Sequence, residues 1–203
     1  MFRVKIIMVV VGGVLGYMGF QEFLVSRGTS VEPAAVDLSK LEAGEAVPNN
    51  HVRIGEHIAV YAGCVYEYEQ SKYESGDPNS STKVTHLFYP IISKTQAAKG
   101  IDNFAVMVKT NQFKTIGAIP KSDFSEVTSI QGLIINEIDG LDSKEKDLVR
   151  SNFASIDFDK VLILEANRQP ASLVKSLGMT LGGGVIALLG IAWFFVGRKS
   201  AEA

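Results

Sequence analysis

Three histidines, one cysteine and several paired carboxylates are the residues of this chain with chemistry to offer. His51 and His57 stand six apart, so an unbroken strand would set both imidazoles on one face, and His86 falls in a second strand-like stretch. Three imidazoles could hold a zinc ion. The sequence has no HxH or HxxxH pair and no second cysteine, and Gly55 can break the strand between the first two histidines. The expectation is therefore no metal and no cofactor. His51, His57 and His86 are only weak ligand candidates and read as structural side chains.

Cys64 could act as a nucleophile with a histidine as base, but a reactive thiol needs an electropositive, partly open setting. Period-two reading of 58–70 puts Val60, Ala62, Cys64, Tyr66 and Tyr68 on one face, which predicts a buried, inert thiol. The acid-rich run 136–147 fails as a calcium loop: counting back from Gly140 gives Glu137 and Asp139 at the second and third ligand positions but Ile135 at the first. Its charges read as caps on a helix. Glu67 with Glu69, and Asp157 with Asp159, are same-face pairs on solvated strands, and acid–base work by either is a minor expectation. No GxxxxGK[ST] phosphate loop, GxSxG elbow or CxxC pair occurs. No catalytic residue is expected, and the balance leans away from an enzyme.

The elements that carry these residues follow from periodicity. Strands are predicted near 51–54, 58–70, 83–93, 104–110, 127–137 and 161–164, with Gly132 as a possible bulge position and Pro90 as a sign of an edge or bulge. A short helix is predicted after Asp37 or Ser39, with Glu42 in a capping box and Gly44 at its end. A second runs over 139–153, with Asp142 and Glu145 as its capping box. About six strands and two short helices without regular alternation predict an α+β domain with a largely antiparallel sheet, open to closure as a small barrel.

At either end lies a long apolar run. Residues 177–196 carry no charge, with Lys175 before them and Arg198 and Lys199 after them. Residues 6–20, lengthened by Phe23, Leu24 and Val25, follow Arg3 and Lys5. Each suffices to cross the roughly 30 Å hydrocarbon core of a bilayer. No small-residue cleavage site follows the first run, so it reads as an uncleaved signal anchor. The predicted layout is a tail (1–5), a span (6–25), a linker with a short helix (26–49), a domain (50–170), a span (173–197) and a tail (198–203). The basic tails place both termini in the cytoplasm and the domain outside it, in periplasmic fashion, with a bacterial cytoplasmic membrane as the expected location.

Gly12, Gly16 and Gly19 share one face of the first span, and Gly183, Ala187 and Gly190 repeat that spacing in the second. Small residues let helix backbones approach in lipid, so an antiparallel hairpin is predicted. Matching depths from the ends of the apolar runs pairs Gly12 with Gly190, Gly16 with Ala187 and Gly19 with Gly183.

The chain has 203 residues and a net charge of −2. Outside the tails, 16 basic residues face 21 acidic ones, which excludes the basic footprint of a nucleic-acid binder. The span–domain–span layout is similar to that of several membrane assembly factors, and the likeness is one of layout alone. The expected partners are the lipid bilayer and a membrane protein or second copy, contacted through the glycine faces or a tyrosine-rich hairpin (Tyr61, Tyr66, Tyr68, Tyr73, Tyr89). The expected role is a non-enzymatic binding, scaffold or assembly module beside the bilayer. The rival is a membrane-anchored hydrolase or metal-dependent enzyme.

Overall fold

The computed structural model describes residues 2–69, 77–99, 104–136, 141–154 and 156–199. Tyr73, Glu137, Asp139 and Gly140 lie outside these residues. In chain order the elements are α1 (Phe2–Arg27), β1 (Ala34–Val36), α2 (Leu38–Glu42), β2 (His51–Ile54), β3 (His57–Val60), β4 (Val65–Tyr68) and β5 (Val84–Ile92). They continue as α3 (Lys94–Ala97), β6 (Val106–Thr110), a 3-10 turn (Ile116–Ala118), β7 (Phe124–Val127), β8 (Ile130–Ile134), α4 (Ser143–Asn152), β9 (Leu162–Ala166) and α5 (Leu173–Lys199). Two compact units result. One joins Met1–Val31 to Pro170–Ala203, and the other is Glu32–Gln169.

The second unit is α+β, built on one mixed sheet of nine strands rather than about six. The hydrogen-bonded order is β1-β2-β8-β9-β6-β5-β3-β7, with β4 also on β5. Pairs β1–β2 and β6–β9 are parallel and the others antiparallel. Two expected strands are each cut in two, and β1 adds another from the stretch read as linker.

The first cut is a turn after β3, where Cys64 N donates to Tyr61 O at 3.0 Å. Gly63 takes φ +72° there, a left-handed conformation that a Cβ would strain. Cys64 therefore belongs to a turn and not to a continuous strand face, although it still packs against the core. The second cut falls at Thr128–Ser129, between β7 and β8. Gly132 holds unbroken register with Val52 on one side and Ala166 on the other, so it is not a bulge. A Cβ at that position would strike the Glu165 carbonyl, coming within 2.9 Å of its carbon, so glycine is what lets β9 approach.

The breaks at Gly55–Glu56 and Thr128–Ser129 face each other. Ile54 pairs with Ile130 before them and His57 with Val127 after them, in a single register. Residues 51–60 and 124–134 are thus one antiparallel ribbon with a bend. Its β2–β8 half continues into β9, while its β3–β7 half joins β5. The sheet must curl to satisfy both connections, and it forms a half-barrel.

Both faces of the sheet are covered, which explains why β5 is buried continuously from Leu87 to Ile92 and does not alternate. One face gathers Val52, Ile54, Ala59, Leu87, Tyr89, Ile91, Val106, Val108, Ile134 and Leu164 with Leu38 and Leu41 of α2. Cross-strand partnership places Phe88, Met107, Ile163 and Leu133 on the other. There α4 supplies the fully buried Val149, and Phe153 meets Phe104 edge-on at 5.5 Å. Each such Leu, Ile or Phe contributes about 1.5–3 kcal/mol by leaving water.

The helix caps agree with local sequence in part. Asp142 and Glu145 form the expected capping box of α4, with Glu145 N donating to Asp142 Oδ1 at 2.8 Å and Asp142 N to Glu145 Oε2 at 3.0 Å. Asp37 caps α2 by accepting from Ser39 N at 2.9 Å. Glu42 does not complete a capping box with Ser39. Its carboxylate instead accepts from Ser93 N at 2.8 Å and from Ser93 Oγ, tying α2 to the cap of α3.

The other unit is the pair α1–α5, two antiparallel helices long and apolar enough to cross a membrane. Lys5 Nζ donates to Trp193 O at 2.7 Å and lies over the Trp193 and Phe194 rings. At the opposite end Ser26 Oγ donates to Ala171 O at 2.6 Å.

Candidate functional site

The six small residues singled out in the apolar runs lie where α1 and α5 approach most closely. A Cβ added to Gly12 would come 2.7 Å from Gly183 O and 2.9 Å from Ala187 Cα. One added to Gly183 would come 2.7 Å from Gly12 O and 2.8 Å from Gly16 Cα. Gly19 stands against Thr180 and Met179, and Gly190 against Val9 and Met8. The register therefore differs by about one helical turn from depth matching, which paired Gly12 with Gly190 and Gly19 with Gly183. The hydrogen bonds of Lys5 to Trp193 and of Ser26 to Ala171 hold the same offset as the small residues, a register that counting from the ends of the apolar runs does not include. The glycines off this face, Gly13, Gly178 and Gly182, have open space around them.

The histidines separate. His57 is buried at the bend of the ribbon, where its Nδ1–H donates to Gly55 O at 2.7 Å across the break. Its Nε2 has no hydrogen-bond partner, and burial pushes the imidazole below its ordinary pKa. That is the signature of a neutral structural histidine stitching a kink. His51 is also buried, at the start of β2, with its backbone N–H donating to Asn49 Oδ1 at 2.9 Å. Neither joins His86 in a ligand set.

His86 does acquire company, from residues that histidine spacing cannot reveal. Register puts Glu67 of β4 opposite His86 of β5, and Phe88 of β5 opposite Lys109 of β6. All four point to the sheet face where α4 lies. His86 Nδ1 and Glu67 Oε2 are 3.0 Å apart, and Lys109 Nζ is 2.7 Å from Glu145 Oε1. Ligand atoms of Glu67, His86 and Glu145 all fall within 4.8 Å of one another, the one such set among the described residues. The cluster grades from wet to dry: the side chains are 47% exposed at Glu67, 29% at His86 and 11% at Glu145. Sequence reading gave Glu145 only its capping role. The missed signal was Lys109, a lone charge in the apolar strand FAVMVKT that must find a partner on folding.

Other candidates serve the fold. Asp157 pairs with Lys160 at 3.0 Å and accepts from Asp159 N at 3.1 Å, so this pair of acids shapes a turn before β9. A register shift separates Glu67 from Tyr68 and Glu69. Burial raises the Cys64 thiol pKa, which disfavours the thiolate. Tyr89 is buried, its ring 4.9 Å from that of Tyr61, so it belongs to the core and not to a contact surface. Burial likewise raises the pKa of both phenols. The chain matches no family model, no curated protein and no solved structure.

Proposed function

We propose that α1 and α5 cross a lipid bilayer as an antiparallel hairpin and that the sheet unit between them is a non-enzymatic binding, scaffold or assembly module held close to the lipid. The observation that carries this reading is the outward surface of the helices. Large apolar side chains stand exposed along both, among them Tyr17 at 64%, Leu188 at 66% and Phe195 at 66%. Water does not tolerate so long an apolar surface, whereas hydrocarbon does, and helices satisfy their own backbone groups there. With both helices spanning, the basic tails favour cytoplasmic termini and an extracytoplasmic sheet unit. Attachment at both ends keeps that unit beside the membrane, which suits a subunit or assembly factor whose partner is a membrane protein or a second copy.

Alkaline carbonate washing of membranes tests the spans, and release of the protein into the wash would end the spanning reading. Labelling of single cysteines placed in the tails and in the sheet unit of a Cys64→Ser background tests sidedness. Co-purification and crosslinking in mild detergent test the scaffold role. A partner or stable oligomer is the expected result, and a solitary monomer overturns it. A membrane-anchored, metal-dependent enzyme is the second reading, favoured by the gathering of one imidazole and two carboxylates at Glu67, His86 and Glu145. Zinc-dependent ester or phosphoester hydrolysis lost on His86→Ala would promote it.

A further inference from the structure

We infer that Glu67, His86 and Glu145 form a binding site for a first-row divalent cation on the outer face of the sheet, independently of whether the chain crosses a bilayer. The donor set is one imidazole nitrogen and two carboxylates, brought within 4.8 Å of one another from β4, β5 and α4. Mixed nitrogen and oxygen donors of this kind suit zinc or manganese better than calcium, which takes oxygen throughout.

Two of the ligands are held in place before any ion arrives. Glu145 Oε2 accepts from Asp142 N in the capping box, and Glu145 Oε1 accepts from Lys109 Nζ. The carboxylate therefore has a fixed plane, with a lone pair on each oxygen still available to an ion. Cross-strand pairing fixes His86 against Glu67. In the absence of an ion, the 3.0 Å contact between His86 Nδ1 and Glu67 Oε2 needs a proton on that nitrogen. A bound cation replaces this proton and leaves the imidazole hydrogen on Nε2. Exposure at Glu67 and His86 leaves room for water to complete the coordination, so the geometry is that of an open site.

Lys109 is the opposing influence. Its ammonium already neutralises one carboxylate, so the four side chains carry a net charge of about −1 with His86 neutral. An ion must bind against that ammonium. Loss of the ammonium should therefore favour an ion, whereas in a plain salt-bridge network it would only remove a contact.

Zinc titrated by calorimetry into the full-length chain in detergent, with cobalt absorption as a check on nitrogen coordination, tests the site. One ion per chain is expected. Glu67→Gln and His86→Ala should each weaken binding by about tenfold or more, while Lys109→Met should tighten it. Glu67 is half-exposed, so its variant keeps the fold, and circular dichroism verifies this for all three. Absence of stoichiometric zinc binding, or binding that neither Glu67→Gln nor His86→Ala weakens, overturns the proposal.

Discussion

The two units of this chain are packed by opposite rules. In the sheet unit the large apolar side chains point inward: Leu87, Phe88, Ile91, Met107 and Leu164 are fully buried. In the helix pair the smallest residues line the contact while Val10, Tyr17, Leu181, Leu188 and Phe195 point out. Water drives the first arrangement, because apolar area leaves it. The second needs no such drive and depends on close backbone approach, which suits a solvent as apolar as the side chains themselves. Among the helices glycine matters where a Cβ would strike the facing helix, as at Gly12, Gly19 and Gly183, and within the sheet wherever a strand must approach a neighbour more closely than a Cβ allows.

Gly183→Leu should disrupt the helix pair most. The new side chain would have to displace the backbone of α1 at Gly12 and Gly16. Disulfide crosslinking between cysteines placed at the two ends of the pair, in a Cys64→Ser background, should fall by about tenfold or more, a loss near 1.4 kcal/mol or above in pairing. Gly182→Leu, with open space at its Cβ, should leave crosslinking unchanged. Gly16→Ala should also be tolerated, since its nearest new contact would be 3.6 Å away.

In the sheet unit the most disruptive of these changes should be Gly132→Ala. Overpacking against the Glu165 carbonyl should cost about 3 kcal/mol, read as a lower urea midpoint by circular dichroism. Asp142→Ala removes a cap that satisfies the Glu145 amide and should cost about 1 kcal/mol in the same titration.

His57 makes the stability of the sheet unit depend on pH. Its pKa is depressed by burial, so the unfolded chain binds a proton first as pH falls through about 6.5. In that window the unfolded state holds more protons than the folded one, and stability rises with pH. The stability it supports is whole above the unfolded value, and it declines as pH drops toward the folded value. Urea midpoints at pH 7.5 and 5 should therefore differ in the parent chain, and the difference should shrink in His57→Phe. An unchanged difference would remove His57 as its source.

What was legible in the sequence was whatever depends on neighbours along the chain. The two apolar helices, the capping box at Asp142 and Glu145, the helix start at Asp37 and the class of the sheet domain all follow from periodicity and local chemistry. The number of strands did not, because alternation continues through a turn such as Tyr61–Cys64 and cannot register a change of partner. Nor did the helix register, which rests on contacts such as Lys5 on Trp193 and Ser26 on Ala171 between residues more than a hundred positions apart in sequence. The candidate cation site belongs to the same class. Glu67, His86, Lys109 and Glu145 share no spacing rule, and only the pairing of β4, β5 and β6 with α4 over them sets an imidazole, two carboxylates and an ammonium side by side.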